Sequence, residues 1–177
     1  MPIGLVEALM DDGFAHLSRQ VGAALAARGE WLATAESCTG GWVAQALTDI
    51  AGSSAWFERG FVTYANAAKI EMLGVTPEIL ANYGAVSCET ASAMAAGALR
   101  HAHVDWALAI TGIAGPSGGS IDKPVGTVCF AWASKRQPTP DSEKMHFDGD
   151  RRGIRLQAVR FALNGLLHRI ETQASSG

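Results

Sequence analysis

Charge, sulfur and long apolar runs are all scarce in this chain, and each shortage excludes a class of protein. Charged residues make up 18% of the 177 residues against 48% apolar, the balance of a chain that folds around a core and not of a disordered one. The formal net charge is only −3 and the pI about 5.9, so no overall positive field exists to attract nucleic acid or an anionic membrane surface. Any anion recognised here must be met by a local cluster of cations. No window reaches the roughly eighteen consecutive apolar residues of a membrane helix, and no basic stretch followed by an apolar run suggests a secretory signal. Neither nucleic acid nor membrane is therefore expected as a partner. Cysteine is limited to Cys38, Cys88 and Cys129. An odd number without CxxC spacing predicts reduced thiols and a cytoplasmic protein. His101 and His103 lie two apart without a third ligand, so no metal site is expected. Internal repeats and low-complexity tracts are also missing, and the length fits one domain with a sizeable core.

What is present is an alternation of strand and helix patterns. Residues 1–13 read as a short helix or arm, 14–172 as the domain, and 173–177 as a flexible tail. Phe14, Leu17, Val21, Ala24 and Leu25 fall on one helical face that ends at Gly29. A strand over Trp31–Ala35 precedes a helix over 40–50, and the second half of 56–64 is rich in β-formers. Asn66 reads as the N-cap of a helix to about Leu73, closed by Gly74. Thr76-Pro77-Glu78 opens the next helix, with proline where a missing N–H does no harm. Ser87 or Cys88 starts an alanine-rich helix to about His101. Asp105–Thr111 is a nearly continuous apolar run, as expected of a strand covered on both faces. A second strand covers Val125–Ser134, Pro138-Thr139-Pro140 reads as a surface turn, and Lys144–Phe147 as a short antiparallel strand. A helix from about Arg151 to Glu171 closes the chain. The pattern implies helices on both faces of a mixed, mostly parallel sheet. In such sheets ligands sit at the carboxyl ends of the strands. Glu36–Gly41, Tyr64–Lys69 and Thr111–Gly119 all end there.

The stretch Thr34-Ala-Glu-Ser-Cys-Thr-Gly-Gly41 turns from strand to helix, and its glycines permit a sharp turn and a close approach to a ligand. A Ser37 hydroxyl beside free amides around Thr39, Gly40 and Gly41 suits attack on a carbonyl and stabilisation of the oxyanion. The plainer reading is that Ser37 or Thr39 caps the helix. A serine needs a base, and none of the five histidines falls in the three strand-end stretches. Lys69, in the first turn of its helix, is the better base: the helix dipole and burial both lower a lysine pKa. Its alternative is a solvated surface lysine. Tyr64 could relay a proton or orient Lys69, or be an ordinary strand-end aromatic. Cys38 is a second candidate nucleophile or a small packing residue. The Gly112–Gly119 loop offers amides to an anion but lacks the ending of a P-loop. Arg151 and Arg152, with Arg155 one turn later, oppose the helix dipole unless they meet an anion or pair with Asp148 and Asp150.

Taken together, Thr34–Gly41, Gly60-Phe-Val-Thr-Tyr-Ala-Asn-Ala-Ala-Lys69, Gly84-Ala-Val-Ser87 and Thr111-Gly-Ile-Ala-Gly-Pro116 resemble one family. Lys123-Pro-Val-Gly-Thr127 and Gly149-Asp-Arg151 complete the match. It is the CinA C-terminal domain family of nicotinamide mononucleotide amidohydrolases, and the resemblance spans roughly 14–170. It implies a three-layer α/β/α sandwich, a homo-oligomer of two or more copies, and hydrolysis of nicotinamide mononucleotide to nicotinic acid mononucleotide and ammonia without a cofactor. The family's serine nucleophile falls on Ser37, its tyrosine on Tyr64 and its lysine base on Lys69. Thr111, Gly112 and Gly115 match its substrate-contacting segment, and the arginine after Gly-Asp, Arg151 or Arg152, would help hold the phosphate. The N-terminal domain of longer members has no counterpart here, so its activity is not expected. Two alternatives stay open: hydrolysis of another amide, and a non-catalytic module that binds a pyridine nucleotide.

Overall fold

A computed structural model describes residues 13–174. Apart from Gly13, the expected arm lies outside the described residues, as do the last three residues of the expected tail. In chain order the elements are α1 (Ala15–Arg28), β1 (Leu32–Glu36), α2 (Trp42–Thr48), β2 (Phe57–Val62), α3 (Asn66–Leu73) and α4 (Pro77–Tyr83). They continue with α5 (Cys88–His101), β3 (Trp106–Gly112), β4 (Thr127–Ser134), β5 (Gln137–His146) and α6 (Arg151–Ala174). The five strands form one sheet in the order β2-β1-β3-β4-β5. β1 is parallel to both its neighbours, and β4 alone runs against the other strands. The sheet is therefore mixed, with four of its five strands pointing one way.

Alternation along the central strands explains the layers. In a strand, successive side chains point to opposite faces. Trp106, Leu108 and Ile110 of β3, with Val128, Phe130 and Trp132 of β4, put large side chains on the face covered by α1, α2 and α6. The residues between them, Ala107, Ala109, Cys129, Ala131 and Ala133, put small ones on the face shared with α5. The alanines of α5 (Ala91, Ala95, Ala98) pack against that small face, so helix and sheet can approach closely. Three layers result.

Local signals set the helix ends. Gly29 closes α1 in the left-handed conformation. Thr76 Oγ1 accepts from the Ile79 amide at 3.3 Å and Ser87 Oγ from Thr90 at 3.1 Å, each relieving an unpaired donor in a first turn. The N-cap of α3 is Ala65 and not Asn66, which is the first helical residue. The Pro138-Thr139-Pro140 turn is a second correction: these residues belong to β5. They lie where the β4–β5 register shifts between Trp132 and Ser134. A bulge on an edge strand is where a sheet tolerates proline, because the missing N–H is not needed by a neighbour. The turn itself is Lys135-Arg136.

Candidate active site

The carboxyl ends of β1, β2 and β3 lie level, with Glu36 in register with Val62 on one side and Ile110 on the other. The Ser37 amide donates to the Ile110 carbonyl at 3.0 Å and the Thr63 amide to the Glu36 carbonyl at 2.8 Å, so the chains leave the sheet side by side. Between them lies a cavity of about 260 Å³ lined by Ser37, Cys38, Tyr64, Asn66, Lys69, Thr111, the Gly112–Gly115 loop and Arg151, among others. All three strand-end stretches meet there.

Lys69 is buried on the inner side of α3, with 1% of its surface exposed. Its Nζ lies 3.0 Å from Ser37 Oγ, 2.9 Å from the Thr63 carbonyl and 3.3 Å from the Tyr64 carbonyl. Burial lowers its pKa from the usual 10.5, against a small opposing effect of Cys38, because a charged amine loses hydration there. The two carbonyls can only accept, and a neutral amine has two hydrogens and one lone pair. When both hydrogens go to Thr63 and Tyr64, the lone pair faces the Ser37 hydroxyl. Lys69 is not a solvated surface lysine, and Ser37 does not cap the helix.

A carboxylate caps α2 instead. Glu36 is buried, and its Oε2 accepts from Thr39 Oγ1 at 2.5 Å, Gly41 N at 3.2 Å and Val43 N at 3.1 Å, while Oε1 accepts from Ala44 N at 2.9 Å. The glycines make the turn possible, with φ of 59° at Gly40 and 99° at Gly41. The Gly40 amide donates to the Ser37 carbonyl and the Trp42 amide to that of Thr39, both at 3.0 Å. From Ser37 to Ala44, only the amides of Cys38 and Thr39 meet no acceptor in another described residue.

Cys38 is an unpromising nucleophile. Burial first, then the neighbouring Glu36 carboxylate, pushes its thiol up to about 12 despite the opposing pull of Arg155 and Lys69. A thiol without its thiolate reacts poorly.

The arginines divide. Arg151 borders the cavity, donating to the Gly115 carbonyl at 2.7 Å and to the Tyr64 hydroxyl at 2.9 Å. Arg155 turns inward to the Cys38 and Thr39 carbonyls, at 2.9 and 3.0 Å. Arg152 lies over the Trp42 ring, 5.0 Å from its centre. It lines a neighbouring depression with Thr39, Gly40, Gly41 and Arg155. The structure thus gathers Ser37, Tyr64, Lys69, Thr111, Gly112, Gly115 and Arg151 in one cavity, and leaves Thr39, Gly40, Gly41 and Arg152 outside it. Asp150 Oδ1 accepts from the Gly153 amide at 2.7 Å and caps α6. Thr111 Oγ1 donates to the Ala85 carbonyl at 2.6 Å, joining β3 to the cavity wall.

Two residues of the strand-end stretches take roles that their sequence pattern does not show. Glu36 lies five to eight residues before the amides it caps, beyond the reach of a local capping rule. Asn66, expected as a helix N-cap within the Tyr64–Lys69 stretch, is the first helical residue and lines the cavity. Among the described residues no group of three or more His, Cys, Asp or Glu could hold a metal ion, and no helix is long and apolar enough to cross a membrane.

The family model for the CinA C-terminal domain matches residues 14–170. The chain belongs to the CinA C-terminal domain family. Its curated relatives include nicotinamide-nucleotide amidohydrolase PncC of Escherichia coli strain K12, 56% identical over 158 residues, which covers 89% of this chain and 95% of that one. The protein of the same name from Pseudomonas putida is 47% identical, covering 88% and 96%. Among solved structures, a competence/damage-inducible protein from Agrobacterium tumefaciens superposes with a TM-score of 0.85 at 48% identity, covering 88% of this chain and 94% of that one. A CinA superfamily protein from Klebsiella pneumoniae gives 0.86 at 42%, covering 90% and 98%. The span matched to the CinA C-terminal domain contains every residue that lines the cavity.

Proposed function

We propose that the chain is a nicotinamide-nucleotide amidohydrolase that converts nicotinamide mononucleotide and water to nicotinic acid mononucleotide and ammonia. The placement of Lys69 carries this reading: a buried amine whose two carbonyl partners leave its lone pair for Ser37 Oγ. Lys69 takes the Ser37 proton as Oγ attacks the carboxamide carbon. The tetrahedral adduct collapses, the C–N bond breaks, and the proton held by Lys69 goes to the departing nitrogen, releasing ammonia. Water then attacks the Ser37 ester, giving one proton to Lys69, which returns it to Oγ as the acid departs. Every proton is accounted for without a cofactor.

Tyr64 supports Lys69 through its main-chain carbonyl, while its hydroxyl faces Arg151. Arg151 is therefore the arginine we assign to the substrate phosphate, with Thr111, Gly112 and Gly115 forming the wall against which the nucleotide lies. The neighbourhood of β2 and α3 favours a homo-oligomer. β2 is an edge strand, and Val62, Ile70 and Met72 are exposed around the elements that carry the base, an arrangement that a second copy would cover. Free thiols at Cys38, Cys88 and Cys129 fit a reducing cytoplasm.

The test is ammonia release from nicotinamide mononucleotide, nicotinamide riboside and free nicotinamide, each with and without a chelator. Turnover of the mononucleotide, unaffected by the chelator and weaker without the phosphate, is expected. Equal rates on all three would remove Arg151 from the account. Tight binding without ammonia would leave only a nucleotide-binding module.

A further inference from the structure

We infer that the oxyanion site of this enzyme is the pair of main-chain amides of Cys38 and Thr39, and that Arg155 is the positioning residue that aims them. The inference rests on the amidohydrolase reading given above.

The accounting of amides in the turn narrows the choice. The expected donors around Gly40 and Gly41 are committed: Gly40 N to the Ser37 carbonyl, and Gly41 N to the Glu36 carboxylate. Val43 and Ala44 are held by the same carboxylate. An amide that already donates cannot stabilise a developing charge without breaking that bond. The Cys38 and Thr39 amides remain, directly after the nucleophile: Ser37 and Cys38 line the cavity, and Thr39, whose other side borders the neighbouring depression, follows immediately behind them. Buried main-chain N–H groups are almost always paired. Thr39 is fully buried, and the Cys38 amide meets only the weakly accepting sulfur of its own side chain. Two consecutive amides beside a serine thus have no acceptor in another described residue and suit one that arrives with the substrate.

Their direction is fixed through the carbonyls. In a planar trans peptide the N–H points opposite to the C=O of the same unit. The Ser37 carbonyl is tied to Gly40, which turns the Cys38 amide the other way. The Cys38 carbonyl is tied to Arg155 Nε at 2.9 Å, which does the same for the Thr39 amide. Arg155 Nη2 also holds the Thr39 carbonyl at 3.0 Å, and the guanidinium lies against the Trp42 ring, 5.2 Å from its centre. A planar fork with two donors fixes both carbonyls at once. Arg155 lines the neighbouring depression and not the Ser37 cavity, so it acts through the turn.

The experiment compares Arg155→Ala with the unsubstituted enzyme on nicotinamide mononucleotide and on its thioamide analogue, in which sulfur replaces the carboxamide oxygen. Sulfur is larger and a weaker acceptor, so the preference for oxygen over sulfur reports the fit of the oxyanion site. Losing an oxyanion donor outright costs roughly 10²–10³ in kcat, so a misaimed pair is expected to cost about 10- to 100-fold. KM should stay within about threefold, and the oxygen-over-sulfur preference should shrink. Arg155→Lys, which can still reach a carbonyl, should recover part of both. If Arg155→Ala does not fold, Arg155→Lys and Arg155→Gln are read in the same way. An unchanged kcat, a rise in KM alone, or an equal loss on both substrates would overturn the inference. Absence of turnover by the unsubstituted enzyme would instead overturn the amidohydrolase reading.

Discussion

Replacing Lys69 by methionine probes the site at its most constrained atom. Methionine keeps most of the volume of a side chain that is 1% exposed but removes the proton acceptor 3.0 Å from Ser37 Oγ. A positioned general base contributes roughly 10²–10⁴ in rate, so kcat/KM should fall by at least about a hundredfold. Because base and nucleophile act as a unit, adding Ser37→Ala should cost little more. The substitution also leaves the Thr63 carbonyl, now paired at 2.9 Å, without a donor, at a cost of about 1–3 kcal/mol. The pH dependence gives a second readout. The folded pKa of Lys69 lies below the ordinary 10.5 because burial disfavours its charge. Stability linked to the neutral amine is therefore fully present above 10.5 and is lost as pH falls through the lowered folded value. Lys69→Met takes up no such proton, so its stability relative to the unsubstituted protein should improve toward acid. Unsubstituted kcat/KM should rise with pH along the same titration, with its midpoint below 10.5. Urea unfolding across pH and the kcat/KM profile test both. Activity of Lys69→Met within about tenfold of the unsubstituted enzyme, or a rising limb centred at the ordinary lysine value, would refute the reasoning.

Three further outcomes follow from other parts of the structure. Glu36→Gln replaces a carboxylate that accepts four hydrogen bonds and should cost about 1.5–3 kcal/mol in denaturant unfolding, together with a loss of kcat; a change of less than about 0.5 kcal/mol would remove Glu36 as the cap. Gly97→Ala would push a Cβ into the Leu73 main-chain carbonyl at the end of α3, and about 1–3 kcal/mol of destabilisation is expected from such overpacking. A melting temperature equal to that of the parent would show that the two helices are not so closely packed. Iodoacetamide at pH 8 should leave Cys38 unmodified in the native protein, since its thiol is pushed up to about 12. Rapid alkylation there, located by peptide mass spectrometry, would reopen the case for a cysteine nucleophile.

Strand ends and helix faces were readable because each depends on a short, local pattern. Gly29, Gly74, Thr76-Pro77 and Ser87 mark boundaries that the structure keeps within a residue or so. The meeting of Ser37 with Lys69 followed from a topological rule: both leave the carboxyl end of a strand, and β1 and β2 are parallel neighbours. The misread positions depend on partners distant in sequence. Pro138 and Pro140 look like a turn until β5 is known to be an edge strand with a shifted register. The amides of Gly40 and Gly41 look free until the Ser37 carbonyl takes the first and the carboxylate of Glu36 folds back onto the second. Arg155 looks like an anion ligand beside Arg151, yet one helical turn sends it to the carbonyls of the Ser37 turn, 116 and 117 residues earlier. The alternation of large and small residues in β3 and β4 was legible but hidden inside an apolar run. It assigns α5 to the alanine face.

The most direct measurement is a search for the covalent intermediate. Enzyme turning over nicotinamide mononucleotide is quenched in acid, digested, and the peptide containing Ser37 weighed. An ester of nicotinic acid mononucleotide on Ser37, absent from Ser37→Ala together with ammonia release, is the predicted result. Ammonia release that persists in Ser37→Ala, or an acyl group carried by Cys38, would contradict the account.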